Sequence, residues 1–146
     1  MLKRTTQYAL WGLVYTQMQN FKGFKPGAFE IAKKIEAPRF SVAKTFQFLV
    51  RYGFILSAKG KKGGFYFDQS QPDLTIKEII IATGEIKILT ECILGKKECN
   101  NDNPCPVHEQ WATIRKSIDN MYSTITIQYL AKSFLAYKCL EQNNPD

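Results

Sequence analysis

The sequence contains no run of apolar residues long enough to cross a membrane as a helix. Lys3 and Arg4 precede a short apolar segment, but no small-residue cleavage site follows, which argues against a signal peptide. Four cysteines in 146 residues are too few for a disulfide framework, and a chain of this length needs none. Internal repeats and the glycine-lysine pattern of a phosphate-binding loop are also absent. These absences argue against a membrane protein, a secreted disulfide-rich domain and a nucleotide site. They predict a cytoplasmic protein with reduced cysteines.

Acidic residues are scarce in the first half of the chain. Residues 1–70 contain 12 Lys and Arg against 3 Asp and Glu, a balance of +9, whereas residues 71–146 contain 8 against 10, a balance of −2. The net charge of +7 therefore belongs to one half of the molecule. A basic surface that neutralises phosphates binds DNA by releasing counterions, although the same charge can serve only to keep a surface solvated. The motifs in this half decide between the two interpretations.

Cysteine and histidine are few, but they are concentrated. Three of the four cysteines and the only histidine follow the pattern Cys92-x6-Cys99-x5-Cys105-x2-His108, and the residues between them are polar and typical of a loop. Thiolates with imidazole favour soft metals, so the pattern predicts a site for zinc, copper(I) or an iron-sulfur cluster. Redox-active thiols and coincidence are the alternatives. Cys139, in an apolar helical pattern, is predicted to be a small buried hydrophobic residue.

Apolar periodicity in the basic half predicts three helices, at about 6–18, 28–35 and 41–52, of which the last two form a helix-turn-helix. The predicted buried positions are Tyr8, Leu10, Trp11, Val14, Tyr15 and Met18, then Phe29, Ile31, Ala32 and Ile35, then Val42, Phe46, Leu49 and Val50. Gly53 ends the third helix, and segments 54–58 and 65–67 flank a glycine-rich turn, which predicts a β-hairpin. The expected fold is mainly α-helical with a small β-hairpin wing, a winged helix-turn-helix.

The second half is predicted to hold a helix at about 73–83, a ligand loop, and a long helix that begins at Pro106 with Cys105 at its cap. Spacings of three and four typical of a coiled-coil seam relate Trp111, Ile114, Ile118, Met121 and Ile125. Such a seam predicts a homodimer, the alternative being packing within the chain. The β-branched segment 124–127 predicts a break before a last helix that folds back. The expected organisation is a DNA-binding domain at 1–84, a cluster-binding loop at 85–105, and a dimerisation helix with a C-terminal helix at 106–146.

Three groups of residues are characteristic when they are taken together. They are Tyr8-Ala9-Leu10, then Gly53-Phe54-Ile55-Leu56-Ser57 leading to Gly60-x-x-Gly63-Gly64-Phe65, and then the cysteine cluster followed by Trp111 and Ile125-Thr126-Ile127. Together they resemble the Rrf2 family of winged-helix regulators over nearly the whole chain. The resemblance implies a homodimer whose crossed long helices hold two winged domains and place a cluster near the dimer interface.

Two branches of that family differ in their metal ligands. In the branch of the iron-sulfur cluster regulator, three cysteines and a histidine bind a 2Fe-2S cluster, and Cys105-x2-His108 resembles that histidine placement, although Cys92-x6-Cys99 is one residue longer. In the nitric-oxide-sensitive branch, a 4Fe-4S cluster takes a ligand from an acidic residue of the first helix, where this chain has Gln7 and Tyr8. The resemblance therefore implies a 2Fe-2S cluster, with zinc as the alternative.

Together with the basic winged helix and the ligand cluster, the resemblance implies a transcriptional regulator, expected to be a repressor, that senses iron-sulfur status, redox state or nitric oxide. Its expected partners are double-stranded operator DNA and a second copy of the chain, with no membrane and no small-molecule substrate. The residues expected to contact DNA are Arg39, Ser41, Lys44 and Thr45 on the third helix, and Lys59, Lys61 and Lys62 on the hairpin. Cys105 and His108 have no third group to orient them as nucleophile and base, so we expect no enzyme. A regulator with structural zinc, or with redox-sensing thiols and no cluster, is the alternative.

Overall fold

The computed structural model describes residues 2–142, with side chains as far as residue 137. In chain order its elements are α1 (Arg4–Phe21), α2 (Ala28–Lys34), α3 (Arg39–Arg51), β1 (Leu56–Ala58), β2 (Gly64–Tyr66), α4 (Ile76–Ala82), α5 (Lys87–Thr90), α6 (His108–Thr124) and α7 (Ile127–Gln142). This arrangement confirms the predicted fold class, since helices dominate and a two-stranded antiparallel hairpin follows the third helix. Cys139 lies outside the residues whose side chains are described. No helix in the described part of the chain is long and apolar enough to cross a membrane.

The buried face of α1 is rotated from the predicted stripe. Trp11 is 53% exposed, whereas the buried positions are Thr6, Ala9, Gly12, Leu13, Val14, Thr16, Gln17 and Met18. Several of these positions hold small or polar residues, which let α1 pack closely against its neighbours. A prediction based on large apolar side chains does not identify such positions as buried. The prediction for Trp11 was wrong for this reason. In the same way Phe29 of α2, expected to be buried, is 56% exposed.

The helix-turn-helix is formed by α2 and α3, which pack on α1. Val42, Phe46 and Leu49 of α3 are fully buried in the core that these helices share. The helix begins at Arg39, two residues before the predicted start, because the extended Pro38 accepts the Val42 N–H through its carbonyl at 3.0 Å. Exposed positions near the beginning of α3 therefore belong to the helix itself.

The hairpin is fastened to the end of α1. The Phe65 N–H donates to the Pro26 carbonyl at 2.9 Å, and the Asn20 side chain bonds the Phe65 carbonyl at 3.2 Å and the Phe67 N–H at 2.9 Å. The Phe65 ring packs against that of Phe46, with centroids 4.8 Å apart. These contacts fix the position of the hairpin relative to α3.

The junction between α6 and α7 is joined to the beginning of α4. The Ile76 N–H donates to the Ile125 carbonyl at 3.0 Å, and the Ile127 N–H donates to the Leu74 carbonyl at 2.8 Å. The extended backbone at Ile125 confirms the predicted break at 124–127. Beyond it α7 returns along α1, where the rings of Trp11 and Phe134 lie 5.3 Å apart. The C-terminal half is thus attached to the winged helix at two places.

The long helix α6 begins later than predicted. Its first residue is His108 and its N-cap is Val107, so Pro106 is not the first helical residue and Cys105 is not the cap. The His108 N–H donates to the Cys105 carbonyl at 3.0 Å, and this tight turn between residues three apart precedes the α-helical pattern. A second difference is α5, a single helical turn inside the segment predicted to be a loop.

Candidate metal centre and nucleic-acid interface

Three sulfur atoms converge between α5 and α6. The Sγ atoms of Cys92, Cys99 and Cys105 all lie within 4.8 Å of one another, and the Sγ atoms of Cys92 and Cys105 are 3.6 Å apart. Cys105 is buried and the other two are half-buried. The chain separates these residues by up to thirteen positions, so the folded loop brings them together rather than a shared helix face.

His108 lies at the edge of this sulfur group. Its Nδ1 atom is 3.1 Å from the Cys99 Sγ, and its Nε2 atom is 3.0 Å from the Asn101 Oδ1. An amide oxygen can only accept, so in this arrangement Nε2 carries the hydrogen and the Nδ1 lone pair faces the Cys99 sulfur. A ligating histidine ordinarily has its second nitrogen held in this way. The sequence analysis did not identify Asn101, which is one of several similar polar residues in the loop.

The thiols differ in their readiness to lose a proton. Burial raises the pKa of Cys92, but hydrogen bonds from the backbone N–H groups of Lys96 and Leu94 and from the neighbouring thiols outweigh it and lower the pKa to about 7. Burial raises the pKa of Cys105, and the neighbouring sulfurs of Cys92 and Cys99 raise it further, against a backbone hydrogen bond from Val107. Cys92 therefore loses its proton more readily than Cys105, and the thiolate is the form that binds metal.

The donor set fits a soft metal or an iron-sulfur cluster. Its candidate ligand atoms are three sulfurs that converge and one imidazole nitrogen beside the Cys99 Sγ, a set found in structural zinc sites and compatible with cluster binding. The loop around them is held by its own contacts. The Asn100 Oδ1 accepts from the N–H groups of Asp102 and Asn103 at 2.9 Å each, and the Lys96 Nζ donates to the Asn103 Oδ1 at 2.8 Å. Holding the loop in place lowers the entropy cost of bringing the ligands together.

Two side chains of α6 fasten the segment that precedes Cys92. The Trp111 Nε1 donates to the Glu91 carbonyl at 2.8 Å, and Arg115 donates from Nη1 to the Thr90 carbonyl at 2.9 Å. These carbonyls lie at the end of α5 and accept no bond within it. A displacement of the ligand loop would therefore disturb these two hydrogen bonds to α6.

The predicted DNA-contacting residues of α3 do not all face outwards. Arg39, Ser41 and Lys44 are exposed, whereas Thr45 is 5% exposed and its hydroxyl donates to the Ser41 carbonyl at 2.8 Å. No acidic residue stands in the first turn of α3, and no side-chain hydrogen bond caps it within the described residues. The positive end of this helix is left open to an anionic partner.

The three hairpin lysines, Lys59, Lys61 and Lys62, are all exposed at the turn between β1 and β2. The ring contact between Phe46 and Phe65 links this turn to α3, so the two basic surfaces hold a fixed relation to each other.

The predicted seam on α6 is partly exposed. Ile114 and Met121 are about half exposed, and Trp111, Ile118 and Ile125 are half-buried. Part of the Trp111 burial comes from its contact with the loop rather than from a partner surface. The structure thus leaves apolar surface along α6.

Comparison with known proteins gives consistent matches. The family model Rrf2, described as an iron-dependent transcriptional regulator, matches residues 2–133. A predicted HTH-type transcriptional regulator of Aquifex aeolicus (strain VF5) is 33% identical over 128 residues, which cover 86% of this chain and 88% of the relative. The HTH-type transcriptional regulator IscR of Photorhabdus laumondii is 22% identical over 127 residues, 87% of this chain and 76% of the relative.

Solved structures share the same fold. CymR of B. subtilis, titled a global cysteine regulator, aligns with a TM-score of 0.71 at 19% identity, over 91% of this chain and 97% of the other. IscR of T. potens aligns with a TM-score of 0.66 at 16% identity, over 100% and 93% of the two chains. The relatives named here are regulators of transcription and not enzymes.

Proposed function

The chain belongs to the Rrf2 family of DNA-binding transcriptional regulators, and on that premise we propose that it binds operator DNA as a homodimer and adjusts this binding through a metal or iron-sulfur group. The proposed ligands are Cys92, Cys99, Cys105 and His108. The observation that carries the proposal is the convergence of three sulfurs within 4.8 Å, with the His108 Nδ1 3.1 Å from the Cys99 Sγ. Residues so far apart in sequence, on a polar loop with no core to fill, have little other reason to meet.

A 2Fe-2S cluster is the proposed group, and zinc is the alternative. When bound, such a cluster would supply a redox-active and labile centre, whereas zinc would only stabilise the loop. His108 makes the site labile, because a neutral imidazole is a weaker ligand than a thiolate. Asn101 opposes this lability, because its contact with Nε2 holds the His108 ring in the ligating tautomer.

A thiol switch without a metal is the second candidate, and the Cys92–Cys105 separation favours it. Their sulfurs lie 3.6 Å apart, so a small movement of the loop would bring them to the bond length of a disulfide. Peroxide would take two electrons from the two thiols, join the sulfurs, and leave as water with their protons. The Cys92 thiolate would be the attacking sulfur.

The signal is proposed to reach DNA through α6. Trp111 and Arg115 tie this helix to the ligand loop, and Lys77 of α4 pairs with Asp119 of α6 at 2.6 Å. The junction after α6 is hydrogen-bonded to the beginning of α4, which packs against α1. A rearranged loop would therefore change how α6 sits on the winged helix. In a dimer held by α6, this would alter the spacing of the two α3 helices.

Each of the three segments predicted from the sequence is proposed to have its own function. Residues 1–84 would bind DNA, with Arg39, Ser41 and Lys44 in the major groove and the three hairpin lysines on the adjacent backbone. Because the Thr45 hydroxyl is turned into the protein, we leave it out of this set. Residues 85–105 would carry the metal ligands, and residues 106–146 would hold the dimer together. Repression and a cytoplasmic location belong to the same proposal.

Anaerobic purification tests the cofactor directly. We expect a coloured protein with visible charge-transfer absorbance and with iron and sulfide in equal amounts, and we expect Cys92→Ala to lose both the colour and the change in DNA affinity on cluster removal. A colourless protein with one zinc per chain would support the zinc alternative. A metal-free protein whose DNA affinity changes on forming a Cys92–Cys105 disulfide would support the thiol switch. If Cys92→Ala left cofactor content and DNA affinity unchanged, the sensing proposal would be wrong.

Sedimentation tests the dimer separately. We expect a dimer for the unmodified chain and a monomer for the double variant Ile114→Glu with Met121→Glu, because two charges would be placed in an apolar interface. The control is Lys116→Glu, an exposed position on another face of α6. A double variant that stayed dimeric would place the interface elsewhere.

A further inference from the structure

Two aromatic rings stand unburied where α3 begins. Phe40, in the first turn of α3, is 79% exposed, and Phe29 of α2 is 56% exposed. The core side of α3 is formed instead by Val42, Phe46 and Leu49. Neither exposed ring contributes its full area to folding, so each forgoes the stabilisation that burial gives. Their position calls for another explanation.

The Arg39 guanidinium lies close to both rings. Its Cζ atom is 3.9 Å from the centroid of the Phe29 ring and 5.7 Å from that of the Phe40 ring. Both distances are within the range of a cation–π interaction, which uses the flat face of the guanidinium. The N–H groups on its edge stay free, since both salt bridges within residues 2–137 involve other side chains and no hydrogen bond there reaches this guanidinium. Arg39 is thus held in place with its donors unused.

The surroundings of this group favour a nucleic acid as the partner. No acidic residue stands in the first turn of α3, and Lys44 is exposed just beyond it. In helix-turn-helix proteins the N-terminal residues of the second helix reach the base edges in the major groove. A guanidinium stacked in advance loses less freedom when it binds a guanine through O6 and N7.

Phe40 can read only one feature of the major groove. Its ring has no hydrogen-bond donor or acceptor, and the apolar group that base pairs present in this groove is the C5-methyl of thymine. Because Phe40 and Arg39 are adjacent in one helical turn, the bases that they contact are neighbours. A thymine methyl beside a guanine matches the two side chains.

We propose that Phe40 is a specificity-determining residue that packs against a thymine methyl group in the operator, and that Phe29 is a positioning residue that holds Arg39 on the neighbouring guanine. This inference rests on the proposed placement of α3 in the major groove. It adds to that proposal a base-reading role for two residues that carry no charge.

The test begins with the duplex that the full-length protein prefers, selected from a random library with metal-loaded and metal-free protein. Each thymine of that duplex is then replaced by deoxyuridine, which removes only the methyl group. We expect one position in each half-site to weaken binding about fourfold, the factor associated with burial of one methyl group. Phe40→Ala should bind the thymine and uracil duplexes equally, whereas the unmodified protein should distinguish them.

Three further variants distinguish a loss of base recognition from a loss of folded structure. Tyr52→Ala removes a ring that is 52% exposed at the other end of α3 and should keep the full dependence on the thymine methyl. Phe29→Leu should lose discrimination against 7-deazaguanine at the neighbouring position, because the apolar side chain remains but the ring face is gone. Phe29→Tyr should restore it. Circular dichroism should show the same melting temperature for Phe40→Ala as for the unmodified protein.

The outcomes are distinct. If no thymine position depended on its methyl group, or if Phe40→Ala kept that dependence, the inference would be overturned while the proposed DNA-binding surface stood. If Phe29→Leu discriminated as well as Phe29→Tyr, the positioning role would be overturned. If no duplex were enriched at all, the placement of α3 in the major groove would fail, and this inference with it.

Discussion

Gly12 sets the distance between α1 and α3, because a side chain at this position has no room. A Cβ there would lie 2.6 Å from the Phe46 Cε2 and 3.2 Å from the Ile31 Cγ2. Phe46 is fully buried and its ring contacts that of Phe65, so it has no free space to move into. The close approach of the helices that present the DNA-binding surface therefore depends on one missing methyl group.

We expect Gly12→Ala to lower the free energy of unfolding by about 1–2 kcal/mol. Overpacking a core costs about 1–3 kcal/mol, and the better helix propensity of Ala returns up to about 1 kcal/mol. Urea denaturation measures the difference. The control is Gly27→Ala, where φ is −86° and no atom lies within 4 Å, so the change should be small. A more stable Gly12→Ala protein would mean that helix propensity outweighs the contact.

Asn101 is expected to matter through His108. Asn101→Ala removes the acceptor for the Nε2 hydrogen and frees the ring to change tautomer, so we expect metal affinity to fall about 10- to 100-fold. Competition between the protein and a chromophoric chelator for zinc measures this. Asp102→Asn, a change to an exposed side chain in the same loop, should leave the affinity unchanged. Equal affinities for all three proteins would show that Asn101 does not support the site.

For individual residues, the sequence identified the candidate metal ligands but not the side chains that contact and orient them. Cys92, Cys99, Cys105 and His108 stand out because few residue types bind soft metals. Asn101 does not stand out, since Asn100 and Asn103 beside it have the same propensities. The turn made by Asn100 decides which of the three faces the histidine.

Among the elements, the hairpin was predicted within about two residues, but its attachment was not. Its strands pair Leu56 with Tyr66 and Ala58 with Gly64. Local turn composition is enough to indicate such a pair. The contacts that fasten it to Asn20 join residues 45 and 47 positions apart, and no local pattern encodes them.

Gly64 is where the hairpin meets the segment that joins α1 to α2. Its φ is +146°, and a Cβ there would lie 2.1 Å from the Lys25 carbonyl oxygen. We expect Gly64→Ala to cost about 2–4 kcal/mol of stability and to weaken DNA binding, because the hairpin must leave its anchor. Thermal denaturation and a binding titration measure the two effects.

Gly60→Ala is the matched comparison for this change. Gly60 also has a positive φ, +99°, but nothing lies within 4 Å of its Cβ position, so its cost should be about 1 kcal/mol. If the two variants lost the same stability, backbone conformation alone would explain the effect and the close approach to Lys25 would be unimportant.

The long helix shows the limit of periodicity. Spacings of three and four marked one face of α6 but did not distinguish a partner surface from contacts inside the chain. Trp111 belongs to that face, yet its indole holds the Glu91 carbonyl. The predicted start of α6 was also wrong. Pro106 is a good first helical residue, but residues 105–108 form a turn and the helix begins only at His108.

For the whole molecule, the uneven charge has a measurable consequence. We expect Lys61→Ala with Lys62→Ala to weaken binding to all DNA sequences and to reduce the slope of log K against log salt by up to about 1.8, because each phosphate contact contributes about 0.9. Binding titrations between about 50 and 200 mM salt measure this.

Lys97→Ala with Lys116→Ala makes the same charge change in the acidic half and should leave the slope nearly unchanged. If both double variants reduced the slope equally, net charge rather than hairpin contact would account for the effect.

The sequence by itself determined the family, the winged fold and the cluster of soft ligands, because each depends on local residue chemistry or on short periodic patterns. It also showed that the positive charge lies in residues 1–70, because net charge can be counted without knowing the fold. Only the tertiary structure decided which face of α1 is buried, that Thr45 turns inwards, that Asn101 contacts His108, and that Arg39 lies close to two exposed rings. Each of these depends on residues brought together from separate elements, and their packing is a property of the whole fold rather than of any one segment.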